Sequence, residues 1–248
     1  MYKIKLEIAY DGAAYLGWQD VKTGAHIEAS IKRVLEQILQ EEIHLEAASR
    51  TDSGVHAIGQ VACFTCEKLP SLTNLKKSLN SLLADDIRIR KIDAVDLDFH
   101  PSLDCISKEY HYQVCFDEVQ MPCERFSFWH YPAALDLEIM RQEAADFIGE
   151  KDFSAFCNQP QKDLYEHCIR KIERIDIFEL PQKRLRFEIE GNRFLFRMVR
   201  NIVGYLLYVG SSRLPAKGLS AILESKKREN AGITADAKGL FLVKVKYK

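Results

Sequence analysis

The chain lacks the features that would place it in a membrane, outside the cell or among disordered proteins. No apolar run approaches the roughly 20 residues of a membrane-spanning helix. The first residues already alternate like a strand, so we expect no signal or transit peptide. Low-complexity segments and long Gly/Ser linkers are missing, while hydrophobic residues make up 47% of the 248 residues, as in folded proteins. We therefore expect a folded, cytoplasmic protein.

A surplus of positive charge is also missing. The chain has 35 Lys and Arg against 36 Asp and Glu, so its formal net charge is −1 at pH 7. RNA-binding domains are usually more basic than this. The total therefore argues mildly against a nucleic-acid partner, but it does not exclude one, because the sum can hide a local basic patch.

A second cysteine pair, which a structural zinc site would need, is absent from the sequence. The seven cysteines are an odd number without a secretion signal, which indicates free thiols. Cys63 and Cys66 have the spacing of metal ligands, but zinc requires four ligands. They also lie in a strand pattern, where positions three apart face opposite ways. We expect core cysteines and no bound metal.

Hydrophobic periodicity predicts nearly the same order of elements twice along the chain. In the first part it predicts strands at 2–10, 43–47, 60–66 and 87–92 and helices at 26–40 and 72–83. In the second part it predicts strands at 108–116, 172–178, 185–189 and 240–247 and helices at 137–148, 194–209 and 219–225. This order predicts an α+β fold of two ferredoxin-like (βαββαβ) halves, residues 1–104 and 105–248, with a joined antiparallel sheet and a central cleft.

One carboxylate, Asp52, stands between two of the predicted strands of the first half. The surrounding residues 49–57 read Ser-Arg-Thr-Asp-Ser-Gly-Val-His-Ala. By composition alone the favoured interpretation is a turn, because Asp, Ser and Gly are ordinary turn residues. The functional interpretation is that two strands form a rigid scaffold that presents a reactive carboxylate.

The predicted helix 194–209 is apolar on nearly every side, which indicates a buried helix. Arg193, Arg197, Arg200 and Gly204 are spaced four, three and four residues apart, so they would form one narrow stripe. Unpaired buried charge is costly, so we expect this stripe to face partners or a cleft. The alternative is a solvated polar edge.

The sequence resembles the TruA family of tRNA pseudouridine synthases. The run from Arg50 to His56 is similar to the family's catalytic motif Gly-Arg-Thr-Asp-Ala-Gly-Val-His, with Ser49 for the leading Gly and Ser53 for the Ala. Five further motifs stand in the family's order: Tyr10-Asp11-Gly12 with Gly17-Trp18-Gln19, Phe99-His100, Tyr110 with Tyr112, Met198-Val199-Arg200-Asn201-Ile202-Val203-Gly204, and Gly239-Leu240. The resemblance therefore covers essentially the whole chain.

The resemblance implies an isomerase that converts uridine to pseudouridine in the anticodon stem-loop of tRNA, at positions 38, 39 and 40, just 3′ of the anticodon. It implies no cofactor and no metal, and a homodimer whose two subunits both contact the tRNA. It also implies the same two-half architecture that the periodicity predicts.

The resemblance also assigns roles to single residues. Asp52 would be the catalytic carboxylate, and Arg200 would pair with it and favour its ionised form. Tyr110 would stack on the extruded uracil, with core packing as the alternative, whereas we expect Tyr112 to be a core residue. Arg50 would contact phosphate, with a surface salt bridge as the alternative. The arginine stripe, rather than the resemblance, leads us to expect that Arg197 contacts substrate. We expect the two motif histidines, His56 and His100, to hold the local backbone through hydrogen bonds rather than to act in catalysis.

Several departures from the family pattern concern RNA contacts. Asp20 and Ser102 stand where the family usually has Arg, Glu109 stands in a position that favours a basic pair, and Asp236 stands where Pro is frequent. Each lost basic residue removes a possible phosphate contact, so the departures affect substrate affinity and range rather than the reaction.

Two alternative functions stay open. One is a non-catalytic RNA-binding protein of the same fold. The other is a ferredoxin-like enzyme acting on a small metabolite, which the low net charge favours although no phosphate-binding Gly loop is present.

Overall fold

The computed structural model describes residues 1–19, 24–158 and 167–248, so the departure at Asp20 lies outside the described residues. The chain divides into two compact units. The first contains Met1–Ile106 and Phe241–Lys248, and the second contains Ser107–Leu240. The sequence-based division at residue 104 put the closing strand in the second half, whereas its contacts group it with the first unit.

The first unit begins with the elements that the periodicity predicts. They are β1 (Tyr2–Tyr10), α1 (Ile27–Leu39), β2 (Glu46–Ala47), β3 (His56–Cys66), α2 (Leu72–Leu82) and β4 (Ile87–Val95). Strand β1 is central and pairs antiparallel with both β3 and β4. Its alternate residues Ile4, Leu6 and Ile8 are fully buried, as expected for a strand with one face on the core.

The second unit is also a mixture of strands and helices. It contains β5 (Ser107–Cys115), β6 (Trp129–His130), α3 (Leu137–Asp146), β7 (Gly149–Asp152), β8 (Ile169–Leu180), β9 (Arg184–Gly191), α4 (Met198–Gly210) and α5 (Leu219–Ser225). Strands β5, β9, β8 and β7 are neighbours in that order, with antiparallel pairing, and β6 pairs parallel with β5. The predicted α+β class is confirmed.

The closing strand β10 (Leu240–Lys246) pairs with β3 from Phe241 onward. The pairing is parallel, with Phe241 opposite His56 and Leu242 opposite Ala57. Gly59 of β3 lies so close to β10 that a Cβ there would stand 2.3 Å from the carbonyl oxygen of Val243. Strand β10 therefore packs directly beside the end of the loop that carries Asp52.

Helix α4 begins four residues later than the periodicity predicts. Arg197 has φ 61° and ψ 12°, a left-handed conformation outside the helix, and α4 starts at Met198. Arg193 and Arg197 therefore precede the helix, and the predicted stripe of four residues on one helix face is wrong for both. Arg200 and Gly204 do lie on α4, at the predicted spacing.

The prediction of core cysteines is confirmed. Cys63 and Cys66 are buried free thiols on β3. Desolvation by burial raises the pKa of Cys63 to about 12, so its sulfur stays protonated at neutral pH and is a poor metal ligand. Among the described residues no helix has the length and hydropathy to cross a bilayer.

Candidate active site

The loop that carries Asp52 connects β2 to β3 and ends in a tight turn at residues 52–55. The amide of Val55 donates to the carbonyl oxygen of Asp52 at 3.1 Å, and Gly54 has φ 78°, a conformation that favours glycine. The Asp52 side chain is half-buried. The turn interpretation of the sequence is therefore correct for the backbone, and it leaves the function of the carboxylate open.

Residues 10–18 hold this loop from one side. The amide of Trp18 donates to the carbonyl oxygen of Thr51 at 3.1 Å, and the amide of Gly54 donates to that of Tyr15 at 3.2 Å. The Tyr10 hydroxyl lies 2.8 Å from Oγ1 of Thr51, and both residues are buried. Asp52 therefore lies between anchored neighbours, which limits the positions its carboxylate can adopt.

Two glycines allow this close approach of backbone to backbone. A Cβ on Gly12 would stand 2.0 Å from the carbonyl oxygen of Val55. A Cβ on Gly17, which has φ 104°, would stand 2.7 Å from that of Thr51. The first motif of the sequence is thus required by the packing of the Asp52 loop.

Gln60 is an anchor that the sequence reasoning missed. It is fully buried on β3, and its Nε2 donates to the carbonyl oxygen of Ser49 at 2.6 Å. Its Oε1 accepts from the amide of Val61 at 3.1 Å. The sequence signal was a glutamine at the first position of the predicted, mostly apolar strand 60–66, since a buried amide needs such partners.

Both motif histidines serve as hydrogen-bonding scaffold, as predicted. Nδ1 of His56 accepts from the amide of Gly12 at 3.1 Å, and the ring stacks on Phe241 with centroids 4.5 Å apart. Nδ1 of His100 accepts from the amides of Ser102 and Leu103 at 3.1 and 3.2 Å. Ser102 therefore uses its backbone to fix His100.

Arg50 lies two residues before Asp52 on the same loop and is exposed. Within the described ranges its guanidinium makes no ion pair. The surface salt bridge that was the alternative interpretation of Arg50 is therefore not formed among the described residues.

Tyr110 and Tyr112 point to the same side of β5 in the second unit. Tyr110 is 6% exposed and packs edge-on against Phe194, with centroids 5.1 Å apart and planes at 81°. Tyr112 is fully buried, and its hydroxyl donates to the carbonyl oxygen of Asp236 at 2.5 Å. Desolvation by burial raises the pKa of Tyr112 well above its usual value. The full burial of Tyr112 confirms that it is a core residue.

The two predicted arginines of the second unit differ in environment. Arg200 is half-buried, and its Nε donates to the carbonyl oxygen of Ala235 at 2.7 Å. Arg197 is exposed, and its guanidinium carbon lies 4.8 Å from the centroid of the Phe196 ring. The structure thus places Asp52 and Arg50 in the first unit, and Tyr110, Arg197 and Arg200 in the second.

Comparison with known proteins decides the family. A family model described as tRNA pseudouridine synthase matches residues 8–104 and 144–248. The curated protein "tRNA pseudouridine synthase A 2" of Protochlamydia amoebophila is 49% identical over 250 residues, covering 100% of this chain and 95% of its own length. This chain belongs to the tRNA pseudouridine synthase family. The resemblance seen in the sequence is confirmed, and the family is one of isomerases.

A second curated relative and a solved structure are also similar to this chain. The "tRNA pseudouridine synthase A" of Thermodesulfovibrio yellowstonii is 40% identical over 256 residues and covers 100% of both chains. The solved archaeal box H/ACA sRNP Nop10-Cbf5 complex aligns with 82% of this chain and 44% of its own, at 14% identity and a TM-score of 0.36. That last similarity is too low to support an inference.

One feature outside the family motifs is a cluster of metal-binding side-chain types. Ligand atoms of Glu109, His111 and Glu188 all lie within 4.8 Å of one another. Arg174 pairs with both carboxylates, at 3.6 Å to Glu109 and 3.2 Å to Glu188, and Arg186 contacts Glu188 at 2.9 Å. Because the arginines already neutralise these carboxylates, we interpret the cluster as an ion-pair network in which Glu109 pairs with Arg174.

Proposed function

We propose that this protein converts uridine to pseudouridine in the anticodon stem-loop of tRNA, at the positions just 3′ of the anticodon. The observation that carries the proposal is the intact Arg-Thr-Asp-Ser-Gly motif, whose Asp52 lies in a loop anchored on both sides by hydrogen bonds from the buried residues Tyr10 and Gln60. The names of the relatives support the tRNA substrate. The site within the tRNA comes from the resemblance of the motifs.

The reaction is an isomerisation and is balanced without any other reactant. The bond from the sugar carbon C1′ to N1 of uracil breaks, the base rotates, and C1′ bonds to C5 of the same base. The proton on C5 leaves and N1 gains a proton. An ionised carboxylate can start this sequence either by attack on the base or by removal of a sugar proton, and Asp52 would take that role.

The remaining site residues support this chemistry in the proposal. Arg200 would pair with Asp52, because an adjacent cation favours the ionised carboxylate. The aromatic pair of Tyr110 and Phe194 would receive the extruded uracil by stacking. Arg50 and Arg197, both exposed, would contact backbone phosphates. The active form would be a cytoplasmic homodimer in which each tRNA contacts both subunits.

A derivatisation assay on tRNA tests this proposal. Bulk tRNA that lacks pseudouridine next to the anticodon is incubated with the wild-type protein or with Asp52→Asn, then treated with a reagent that marks pseudouridine for primer extension. We expect stops just 3′ of the anticodon with the wild-type protein only. Stops elsewhere would refute the site, and no stops with retained tRNA binding would favour the non-catalytic RNA-binding alternative.

A further inference from the structure

Residues 232–236, here called the 232–236 segment, lie against α4 and contact Arg200. Nε of Arg200 donates to the carbonyl oxygen of Ala235 at 2.7 Å, and the amide of Ala235 donates back to the carbonyl oxygen of Arg200 at 3.1 Å. One turn further, a Cβ on Gly204 would stand 2.0 Å from the carbonyl oxygen of Ile233. The orientation of the Arg200 guanidinium therefore depends on where this segment lies.

Asn201, the next residue of α4, ties the same segment to the rest of the unit. Its Nδ2 donates to the carbonyl oxygen of Phe156 at 2.7 Å and to Oδ1 of Asn158 at 2.8 Å. Its Oδ1 accepts from Oγ1 of Thr234 at 2.7 Å and from Nη2 of Arg228 at 2.8 Å. The side chain is fully buried, and these four bonds use its whole hydrogen-bonding capacity.

Arg228 completes the network from the other side of the segment. Nη1 donates to the carbonyl oxygen of Gly232 at 2.8 Å, and Nη2 donates to Oγ1 of Thr234 at 2.8 Å. Every acceptor of this guanidinium within the described residues is a neutral oxygen, and burial lowers the pKa of Arg228. Arg228 is half-buried, and its planar fork can fix several acceptors at once. Its hydrogen bonds connect Gly232 and Thr234 of the segment with Asn201 of α4.

We propose that Arg228 is a positioning residue for Arg200. With Asn201 it fixes the 232–236 segment, so that Ala235 holds the Arg200 guanidinium in the orientation needed for catalysis. This inference rests on the proposed function, in which Arg200 pairs with Asp52. Arg228 contacts no substrate in this proposal, so its loss changes the rate of the chemical step and leaves tRNA binding intact.

The first test separates the rate from binding in the full-length protein. Arg228→Gln keeps a polar side chain but loses the charged fork, and Arg228→Lys keeps only the charge. We expect the single-turnover rate at saturating enzyme to fall about tenfold or more for Arg228→Gln, since small misplacements are costly, while the Kd for tRNA changes less than about threefold. Arg228→Lys should be intermediate. Equal losses in rate and binding would overturn the proposal.

A stability control distinguishes positioning from a general weakening of the fold. Met140 is fully buried on α3 in the same unit, and Met140→Ala leaves a cavity there. We expect Met140→Ala to lower Tm at least as much as Arg228→Gln but to keep the single-turnover rate within about twofold, measured well below its Tm. A loss of rate that simply follows Tm in both variants would refute the role of Arg228.

A double-mutant cycle shows whether Arg228 acts through Arg200. Residues that act as a unit are not additive. In an Arg200→Lys background, which lacks the Nε contact to Ala235, Arg228→Gln should lower the rate by less than about threefold. If the two losses multiply in full, Arg228 does not act through Arg200.

A measurement of hydrogen exchange by NMR tests the proposal independently of activity. In a protein labelled with ¹⁵N-arginine, the Nε–H signal of Arg200, assigned by its loss in Arg200→Lys, should exchange slowly with water in the wild type and at least about fivefold faster in Arg228→Gln. Unchanged exchange would overturn the proposal. A wild-type protein that makes no pseudouridine would refute the proposed function and the catalytic part of this inference, while the exchange rates would still accept or reject the control of Arg200 by Arg228.

Discussion

At the scale of single residues, the Asp52 loop shows how a short polar run becomes a candidate reactive site. Thr51 and Gln60 are buried polar residues, and each has its partner in or beside the loop. Leaving such groups unpaired would cost about 1–3 kcal/mol each, so the loop is well determined. The motif can be recognised in the sequence, whereas the hydrogen bonds that restrict the position of the Asp52 carboxylate are visible only in the structure.

The position of the Asp52 carboxylate can be tested by adding one methylene group. Asp52→Glu keeps the charge but moves the oxygens, and a misplacement of about 1 Å can cost about a hundredfold in rate. Because the side chain is only half-buried, we expect the free energy of unfolding to change by less than about 1 kcal/mol. Single-turnover kinetics and urea unfolding measure both. A near-normal rate for Asp52→Glu would contradict the catalytic role.

The cysteines give a residue-scale prediction about reactivity. The raised pKa of Cys63, about 12, means that its thiol stays protonated up to strongly alkaline pH, and the thiolate is the reactive form. Cys123 is exposed. At pH 8 we expect iodoacetamide to alkylate Cys123 within minutes and to leave Cys63 unmodified until the protein unfolds. Mapping by mass spectrometry checks this, and early alkylation of Cys63 in the folded protein would contradict its burial.

At the scale of elements, periodicity predicted most of the fold and failed where backbone geometry decides. Strand β1 and helix α5 have the predicted bounds, because their patterns are uninterrupted. Helix α4 starts late because Arg197 adopts a left-handed φ, and an apolar pattern carries no information about one residue's φ. The predicted stripe was wrong for Arg193 and Arg197 for the same reason. Arg228 was missed because its contact with Asn201, which links its network to α4, joins residues 27 positions apart in the sequence.

The packing of the first motif against the Asp52 loop gives an element-scale prediction. A Cβ on Gly12 would overlap the carbonyl oxygen of Val55, at 2.0 Å. Gly12→Ala must therefore displace backbone, and we expect it to reduce the free energy of unfolding by about 1–3 kcal/mol and to lower the single-turnover rate. The matched control is Gly218→Ala, where the nearest atom is 3.4 Å away. Equal stability of the two variants would show that the loop adapts freely.

At the scale of the whole molecule, the net charge of −1 must be reconciled with a polyanionic substrate. The structure accounts for many acidic groups through ion pairs, such as Arg184 with Glu124 at 2.7 Å and the arginines that neutralise Glu109 and Glu188. Arg50 and Arg197 are exposed. Affinity for RNA depends on such exposed cations rather than on the net charge, because each contact with a phosphate releases a counterion.

The salt dependence of tRNA binding should report the contacts of these exposed cations with phosphate. The logarithm of the association constant should fall linearly with the logarithm of the salt concentration, by about 0.7 to 0.9 for each phosphate contact. Arg50→Gln should reduce the steepness of that slope by the amount of about one phosphate contact. Its Tm should stay unchanged, since Arg50 makes no ion pair within the described residues. The control is Lys32→Gln on α1, because Lys32 already pairs with Glu36 at 3.7 Å, and it should leave the slope unchanged. A salt-independent affinity, or an equal effect of both variants, would contradict the proposed phosphate contact of Arg50.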